Sequence, residues 1–247
     1  MPLSREGPDR SLRQNVALAV LLAGVAGAVN AAGFFVFGTH TSHMSGNVAL
    51  VGEALATARW ETAQVVAAWV GAFVLGATTA AVLMEWVKDR PRGRHVPALV
   101  LEAAVLVGVS GYLVFSPAEA NEVRGWLAGG MSFAMGMQNA LVTRISGAVI
   151  RTTHLTGVLT DLGIDAVHAA QWTRQHFRSP DPRGFFTALR EDRSFEALWL
   201  HLSLLGSFAV GATFGPVLLL WLGPGALAIP ATSLVALIFL DLRPPRA

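Results

Sequence analysis

Residues 41–52 read TSHMSGNVALVG, and residues 152–163, which lie 111 positions later, read TTHLTGVLTDLG. Identical residues occupy four of these twelve positions, and five more differ conservatively. In each copy a hydroxyl-rich turn leads into a short apolar segment. Ser45 and Thr156 occupy the expected N-cap positions, and Gly46 and Gly157 follow directly. The chain therefore contains one unit twice, and each unit is predicted to be a turn followed by a short helix.

The composition is that of a membrane protein. Of 247 residues, 53% are hydrophobic and only 14% are charged, and the mean hydropathy is +0.52. The absence of cysteine excludes disulfides, thiol catalysis and cysteine–metal sites. The sequence contains no basic stripe with interleaved aromatic residues, so nucleic-acid binding is not indicated. It also contains no nucleotide-binding motif, so the protein is not expected to be an ATPase itself. The expected partner is the lipid bilayer, and no cofactor is expected.

Six apolar segments are predicted to span the membrane: 16–38, 62–87, 97–115, 125–142, 197–222 and 225–240. The two repeated segments, 46–58 and 157–170, are too short to cross and are predicted to be re-entrant helices. With six spans and a cytoplasmic N-terminus, 16 lysines and arginines lie inside and two outside. If all eight segments crossed, the counts would be 12 and six, so the six-span topology with both termini cytoplasmic is favoured.

The duplication extends into the spanning segments. Residues 71–86, GAFVLGATTAAVLMEW, match residues 206–221, GSFAVGATFGPVLLLW, and GAVNA at 27–31 matches GMQNA at 136–140. Each half is therefore a span, a re-entrant helix and two further spans. Because three spans is an odd number, the second half must enter the membrane upside down, as in many secondary transporters.

The predicted fold is thus an all-α polytopic membrane protein with two inverted-topology halves. Residues 1–15 form a cytoplasmic tail, and residues 16–116 form the first membrane repeat. Residues 117–241 form the second repeat, which includes a cytoplasmic connector at 171–196 whose portion 185–189 is suited to the membrane surface. Residues 242–247 form the second tail.

At these motifs the chain resembles the YoaK-like bacterial membrane proteins, a family of unknown function. The resemblance rests on HMSGN at 43–47, FVLGA at 73–77, AMGMQNA at 134–140 and THLTG at 153–157. The family motif usually has threonine at the position of Ser45, and this chain keeps the hydroxyl. The resemblance implies a multi-pass protein of the bacterial inner membrane, and it implies no substrate.

The two turns are the first candidate binding site. A helix N-terminus presents unpaired N–H groups and a partial positive charge, which suit an anion or a dipole. The alternative is that the turns only satisfy their own backbone. The candidate solute-binding residues on the turns are His43, Ser45, Gly46, Asn47, His154, Thr156 and Gly157.

Polar residues within the helices extend this list. The amides of Asn30, Gln138 and Asn139 need partners in hydrocarbon, so they either pack against the turns or contact solute. Glu102 and Asp161 are candidate proton or cation sites, because an acidic residue at membrane depth is often functional. His40 and His43 have metal-ligand spacing, but two histidines alone are a weak signal, so no metal is expected.

The favoured function is a permease for a small polar or anionic solute, held between two opposed helix N-termini. A homodimer is compatible with this plan, because inverted repeats also occur across two chains. A membrane-embedded enzyme would use His43 or His154 as a base with Ser45 or Thr156, and no further catalytic pattern supports it. A non-transporting scaffold or sensor is the third reading.

Overall fold

A computed structural model of the chain describes residues 11–90, 93–116, 120–147, 150, 152–176 and 193–242. Every regular element among them is helical. The α-helices are α1 (Leu12–Phe37), α2 (Met44–Ala56), α3 (Trp60–Trp86), α4 (Val96–Phe115), α5 (Ala120–Ser146), α6 (Leu155–His176), α7 (Arg193–Leu222) and α8 (Ile229–Leu242). A 3-10 helix, Gly223–Ala228, joins the last two.

Four segments are long and apolar enough to cross a membrane: Arg13–Phe37, Trp60–Trp86, Val96–Phe115 and Phe195–Phe239. The last covers 45 residues and contains the 3-10 break, so it includes two of the predicted spans. α5 is absent from this set; it is less apolar, since it carries the amides Gln138 and Asn139 within it and charged residues such as Arg124 and Arg144 towards its ends. Multiple apolar helices confirm the membrane-protein prediction.

Glycines let the helices of one half cross those of the other at very close range. A β-carbon at Gly27 on α1 would collide with the carbonyl of Phe208 on α7, and one at Gly136 on α5 would collide with that of Phe73 on α3. Gly27 and Gly136 are equivalent in the two repeats, and so are Phe208 and Phe73. The same kind of crossing therefore occurs twice: α1 of the first half packs on α7 of the second half, and α5 of the second half packs on α3 of the first half.

Contacts along these helices fix their relative directions. α3 and α5 run parallel, because Trp69 Nε1 donates to Gly125 O (2.8 Å) near their starts and Arg144 pairs with Glu85 (3.2 Å) near their ends. α1 and α7 also run parallel, since Ser207 bonds Val20 whereas Gly215, further along α7, packs against Ala28.

α1 and α5, the first helix of each half, run in opposite directions. Gln138 Nε2 donates to Leu22 O (2.9 Å), early in α1. Gly33, late in α1, faces Met131, which precedes Gln138 on α5. The order of contacts is reversed between the two helices, so equivalent helices of the two repeats are antiparallel where they meet.

Several sequence-based boundaries need correction. α2 begins at Met44 with His43 at the N-cap, and His43 makes no side-chain capping bond. Ser45 is therefore not the N-cap, and neither is Thr156, the second residue of α6. The prediction failed because hydroxyl residues usually cap helices. Here α2 begins at Met44, directly after His43, and α6 begins at Leu155, directly after His154.

The lengths of the outer segments also differ from prediction. α1 begins within the predicted tail 1–15, and α6 extends to His176, into the predicted connector. At 22 residues and a rise of about 1.5 Å each, α6 is long enough to cross a membrane. Its polarity, rather than its length, distinguishes it from the four apolar segments. The predicted surface portion 185–189 lies outside the described residues.

One polar contact distinguishes the two halves. Asp165 Oδ2 on α6 pairs with His201 Nδ1 on α7 at 2.7 Å, and both side chains are mostly buried. The equivalent positions in the first half are Ala54 on α2 and Val66 on α3, which are also buried. The second half therefore joins its short helix to the next helix by a polar pair where the first half uses apolar packing.

We expect Asp165→Ala or His201→Val alone to lower the free energy of unfolding by about 2 kcal/mol, because each leaves a buried polar partner unpaired. The double variant reproduces the Ala–Val pair of the first half, and we expect its free energy of unfolding to lie within about 1 kcal/mol of the wild-type value. Thermal unfolding of the purified variants measures both effects. A double variant as unstable as the sum of the singles would contradict this account.

Candidate functional site

Both copies of the repeated turn line one cavity of about 730 Å³. Six pairs of equivalent residues, one member from each half, contribute to its lining. The equivalent lining pairs are Asn30 and Asn139, Ser42 and Thr153, His43 and His154, Met44 and Leu155, Ser45 and Thr156, and Phe73 and Phe208; His40 and Thr143 complete the lining.

Asn30, within α1, holds the first turn in place. Its Oδ1 accepts from the backbone N–H of Ser42 (3.1 Å) and from the Ser42 hydroxyl (2.9 Å). This assigns the Nδ2 group to the other side, where it lies 3.2 Å from His40 Nδ1. A donating amide requires His40 Nδ1 to accept, so the ring is neutral with its hydrogen on Nε2.

The surroundings of His40 favour the same neutral form. The ring stacks on Phe34 with centroids 4.4 Å apart, and the ring of His43 lies 6.3 Å away. Burial lowers the pKa of His40, and the neighbouring charge of His43 lowers it further. His40 therefore enters the site as a neutral hydrogen-bonding group in the loop between α1 and α2.

Asn139 on α5 repeats the role of Asn30 for the second turn. Its Oδ1 accepts from Thr153 Oγ1 at 2.9 Å, while its Nδ2 donates to Met135 O within α5. Asn30 and Asn139 thus both hold a turn and line the cavity. Packing against the turns, one of the two roles that the sequence left open, is therefore observed, and contact with a solute stays a prediction.

The glycine behind each turn makes room for a histidine ring. A β-carbon at Gly46 would collide with the ring of His43, and one at Gly157 would collide with the ring of His154. Each imidazole therefore folds over the first turn of its own helix. This packing places both rings at the cavity beside the helix N-termini.

The electrostatics of the cavity favour negative groups. The first turns of α2 and α6 contribute Met44, Ser45, Leu155 and Thr156 to the lining, and a helix N-terminus carries roughly half a positive charge. None of the described residues that line the cavity is acidic or carries a permanent positive charge. An anion or the carboxylate of a zwitterion is therefore better matched here than a cation.

The sequence matches a family model over residues 18–240, nearly its whole length. The description of that family is "Protein of unknown function (DUF1275)". The chain belongs to the DUF1275 family. This confirms the predicted relation to a family of unknown function, and neither a curated protein nor a solved structure matches the chain.

Six of the candidate residues in this DUF1275 protein do not line the cavity. Gly46 and Gly157 lie beneath the rings of His43 and His154; the other four are Asn47, Gln138, Glu102 and Asp161. Asn47 is buried and donates to His40 O (3.3 Å), so it fixes the turn from below. Gln138 joins α5 to α1. Glu102 is fully buried on α4, and Asp161 is exposed on α6.

Sequence reasoning missed six lining residues that have an equivalent in the other half. The pairs Ser42 and Thr153, Met44 and Leu155, and Phe73 and Phe208 all appear in the aligned repeats. Their presence in both copies was a usable signal. Thr143 and His40 gave no such signal, since their equivalents are Phe34 and Arg151, the latter outside the described residues.

Proposed function

We propose that this DUF1275 protein is a permease of the bacterial inner membrane for a small polar or anionic solute. One observation carries the proposal: the two repeated turns, separated by more than a hundred residues, line a single cavity and contribute equivalent polar side chains to it. Solute sites at the interface of repeats, beside helix N-termini, are a recurring plan of secondary transporters.

The helix directions support two inverted halves. α1 and α5 begin equivalent repeats and run antiparallel, while each is parallel to a helix of the other half. This is the expectation for six spans with α2 and α6 re-entrant. If all eight segments crossed, α1 and α5 would run in the same direction.

Charge placement supports the proposed orientation. Glu85, Lys88 and Arg144 form an exposed cluster where α3 and α5 end, with Lys88 Nζ 2.6 Å and Arg144 3.2 Å from Glu85. Arg59 pairs with Glu53 (2.7 Å) at the opposite end of α3. In the six-span topology the first cluster is cytoplasmic and the second pair faces outward, as the positive-inside rule favours.

A flux assay tests the function. Purified protein in liposomes would be offered radiolabelled lactate, phosphate and glycine, which represent a carboxylate, an inorganic anion and a zwitterion. We expect uptake of at least one probe and slower uptake in Thr156→Val, which removes a lining hydroxyl. Thr160→Val is the matched control, because its hydroxyl bonds Thr156 O within the helix and lies outside the cavity.

The same assay separates the alternatives. A scaffold or sensor would give no uptake of any probe by folded protein. A membrane-embedded enzyme would convert a substrate rather than move it, and it would need a histidine to activate a hydroxyl. Within the described residues no hydrogen bond joins His43 to Ser45 or His154 to Thr156, so no particular contact favours that reading.

The inverted topology has its own prediction. Glu61 and Glu196 occupy equivalent positions at the starts of α3 and α7, so inversion places them on opposite faces of the membrane. Because the chain lacks cysteine, Glu61→Cys and Glu196→Cys each carry a single thiol. A membrane-impermeant thiol reagent should label Glu61→Cys in intact cells and Glu196→Cys only after permeabilisation. Labelling of neither or both in intact cells would contradict the inversion.

A further inference from the structure

We propose that Glu102 and Gln138 form a proton-binding site in the helix core, in which Glu102 is protonated and donates to Gln138 Oε1. The site is separate from the cavity, since neither residue lines it. It does not depend on which solute the protein carries.

Glu102 has no partner for its charge. Its side chain is fully buried, and neither carboxylate oxygen accepts a hydrogen bond from any described residue. It lies on the buried stripe of α4 with Leu99, Ala103 and Leu106. An unpaired carboxylate in such surroundings costs several kcal/mol, so the neutral acid is the stable form.

Gln138 has the complementary deficiency. It is also fully buried, and its Nε2 is committed to Leu22 O. Its Oε1 is an acceptor without a donor among the described residues. A protonated carboxyl supplies one O–H donor. One proton on Glu102 therefore removes the charge and satisfies the vacant acceptor of Gln138.

The packing of α4 on α5 places these two residues at a similar level. Only residues 116–119 separate α4 from α5, and the two helices pack against each other, so they run antiparallel. A β-carbon at Gly130 would lie 3.5 Å from Val109 and 3.9 Å from Val105. Glu102 is one to two turns before those valines, and Gln138 is about two turns after Gly130.

No other described group replaces the proton. The described residues that are buried on α8 and the 3-10 helix are apolar, Leu234 and Leu237 among them. No ionisable side chain described on α4, or on the helices α3 and α5 packed against it, pairs with Glu102; these are His95, Tyr112, Glu61, Glu85, Arg124 and Arg144.

The repeat comparison makes the site specific to one half. The equivalent of Gln138 in the first repeat is Val29, which is fully buried and has no polar atom. Gln138 precedes Asn139, which holds the second turn at the cavity. The proposed site therefore lies beside the cavity-forming residues on the same helix, in the second half alone.

Infrared spectroscopy of the purified full-length protein at neutral pH tests the proposal. A protonated carboxyl gives a carbonyl stretching band that a carboxylate lacks. We expect such a band in wild type, its loss in Glu102→Gln, and its shift to higher frequency in Gln138→Leu, which removes the acceptor. Glu85→Gln is the matched control and should leave the band unchanged, because Glu85 is exposed and paired with cations.

A second measurement keeps the test independent of any variant's folding. Dicyclohexylcarbodiimide reacts with protonated carboxyl groups in apolar surroundings, and mass spectrometry of the wild-type protein locates the adduct. We expect modification of Glu102. No modification there, or no band lost in Glu102→Gln, would overturn the proton site. A carbonyl band whose frequency is the same in Gln138→Leu as in wild type would overturn the pairing with Gln138.

Discussion

Alanine at Gly76 or Gly211 is expected to abolish the folded protein or to lower its free energy of unfolding by about 3 kcal/mol or more. A β-carbon at Gly76 would overlap the carbonyl of Phe133, and one at Gly211 would overlap that of Gly24. The obstacle is backbone, so no side-chain rotation relieves it. The helices must separate, and the packing on both sides of each crossing is lost.

The repeat supplies the matched controls. Gly71 and Gly206 lie five residues earlier on the same helices, and an added β-carbon at either would meet nothing within 4 Å. Gly71→Ala and Gly206→Ala should be neutral or slightly stabilising, because alanine is the better helix former. Thermal unfolding and monodispersity in detergent give the comparison. Equal effects at the control and crossing glycines would show that helix propensity, rather than close approach, governs these positions.

These glycines also show how far the sequence determines the fold. Gly76 and Gly211 were recognisable because both copies keep them in GATxxxVL contexts. The apolar length of the segments gave the helices, and the repeat gave their equivalence. Nothing local, however, indicates that α1 crosses α7 or that α5 crosses α3, since these crossings depend on packing between residues far apart in sequence, such as Gly27 with Phe208 and Gly136 with Phe73.

The candidate site was predicted in part for a similar reason. Asn30, Asn139 and the two histidines were found because polar groups in apolar helices need partners, and both copies retain them. The helix start at Met44 was missed, because residue preference favours Ser45 as a cap while the ring of His43 occupies the space over Gly46. Asn47 and Gln138 were indistinguishable from lining residues until the packing was known.

Replacing Asn30 with leucine is expected to reduce the proposed solute uptake at least about tenfold and to lower the free energy of unfolding by about 2–3 kcal/mol. The change removes the acceptor for both the buried N–H and the hydroxyl of Ser42. It also removes the donor that faces His40. The turn then loses the contacts that hold it against α1, and the cavity loses one wall.

Asn139→Leu is expected to have a smaller effect, because among the described residues Asn139 accepts a single bond from its turn, that of the Thr153 hydroxyl. Thr213→Val on α7 is the control for loss of a polar group within a span, since its hydroxyl bonds Ala209 O in its own helix. Initial uptake rates in liposomes and thermal unfolding would be measured on all three variants. If Asn30→Leu loses stability while its uptake per folded molecule is unchanged, the amides serve only to fix the turns. If uptake falls well beyond the folded fraction, the same amides that fold the turns also form the path of the solute.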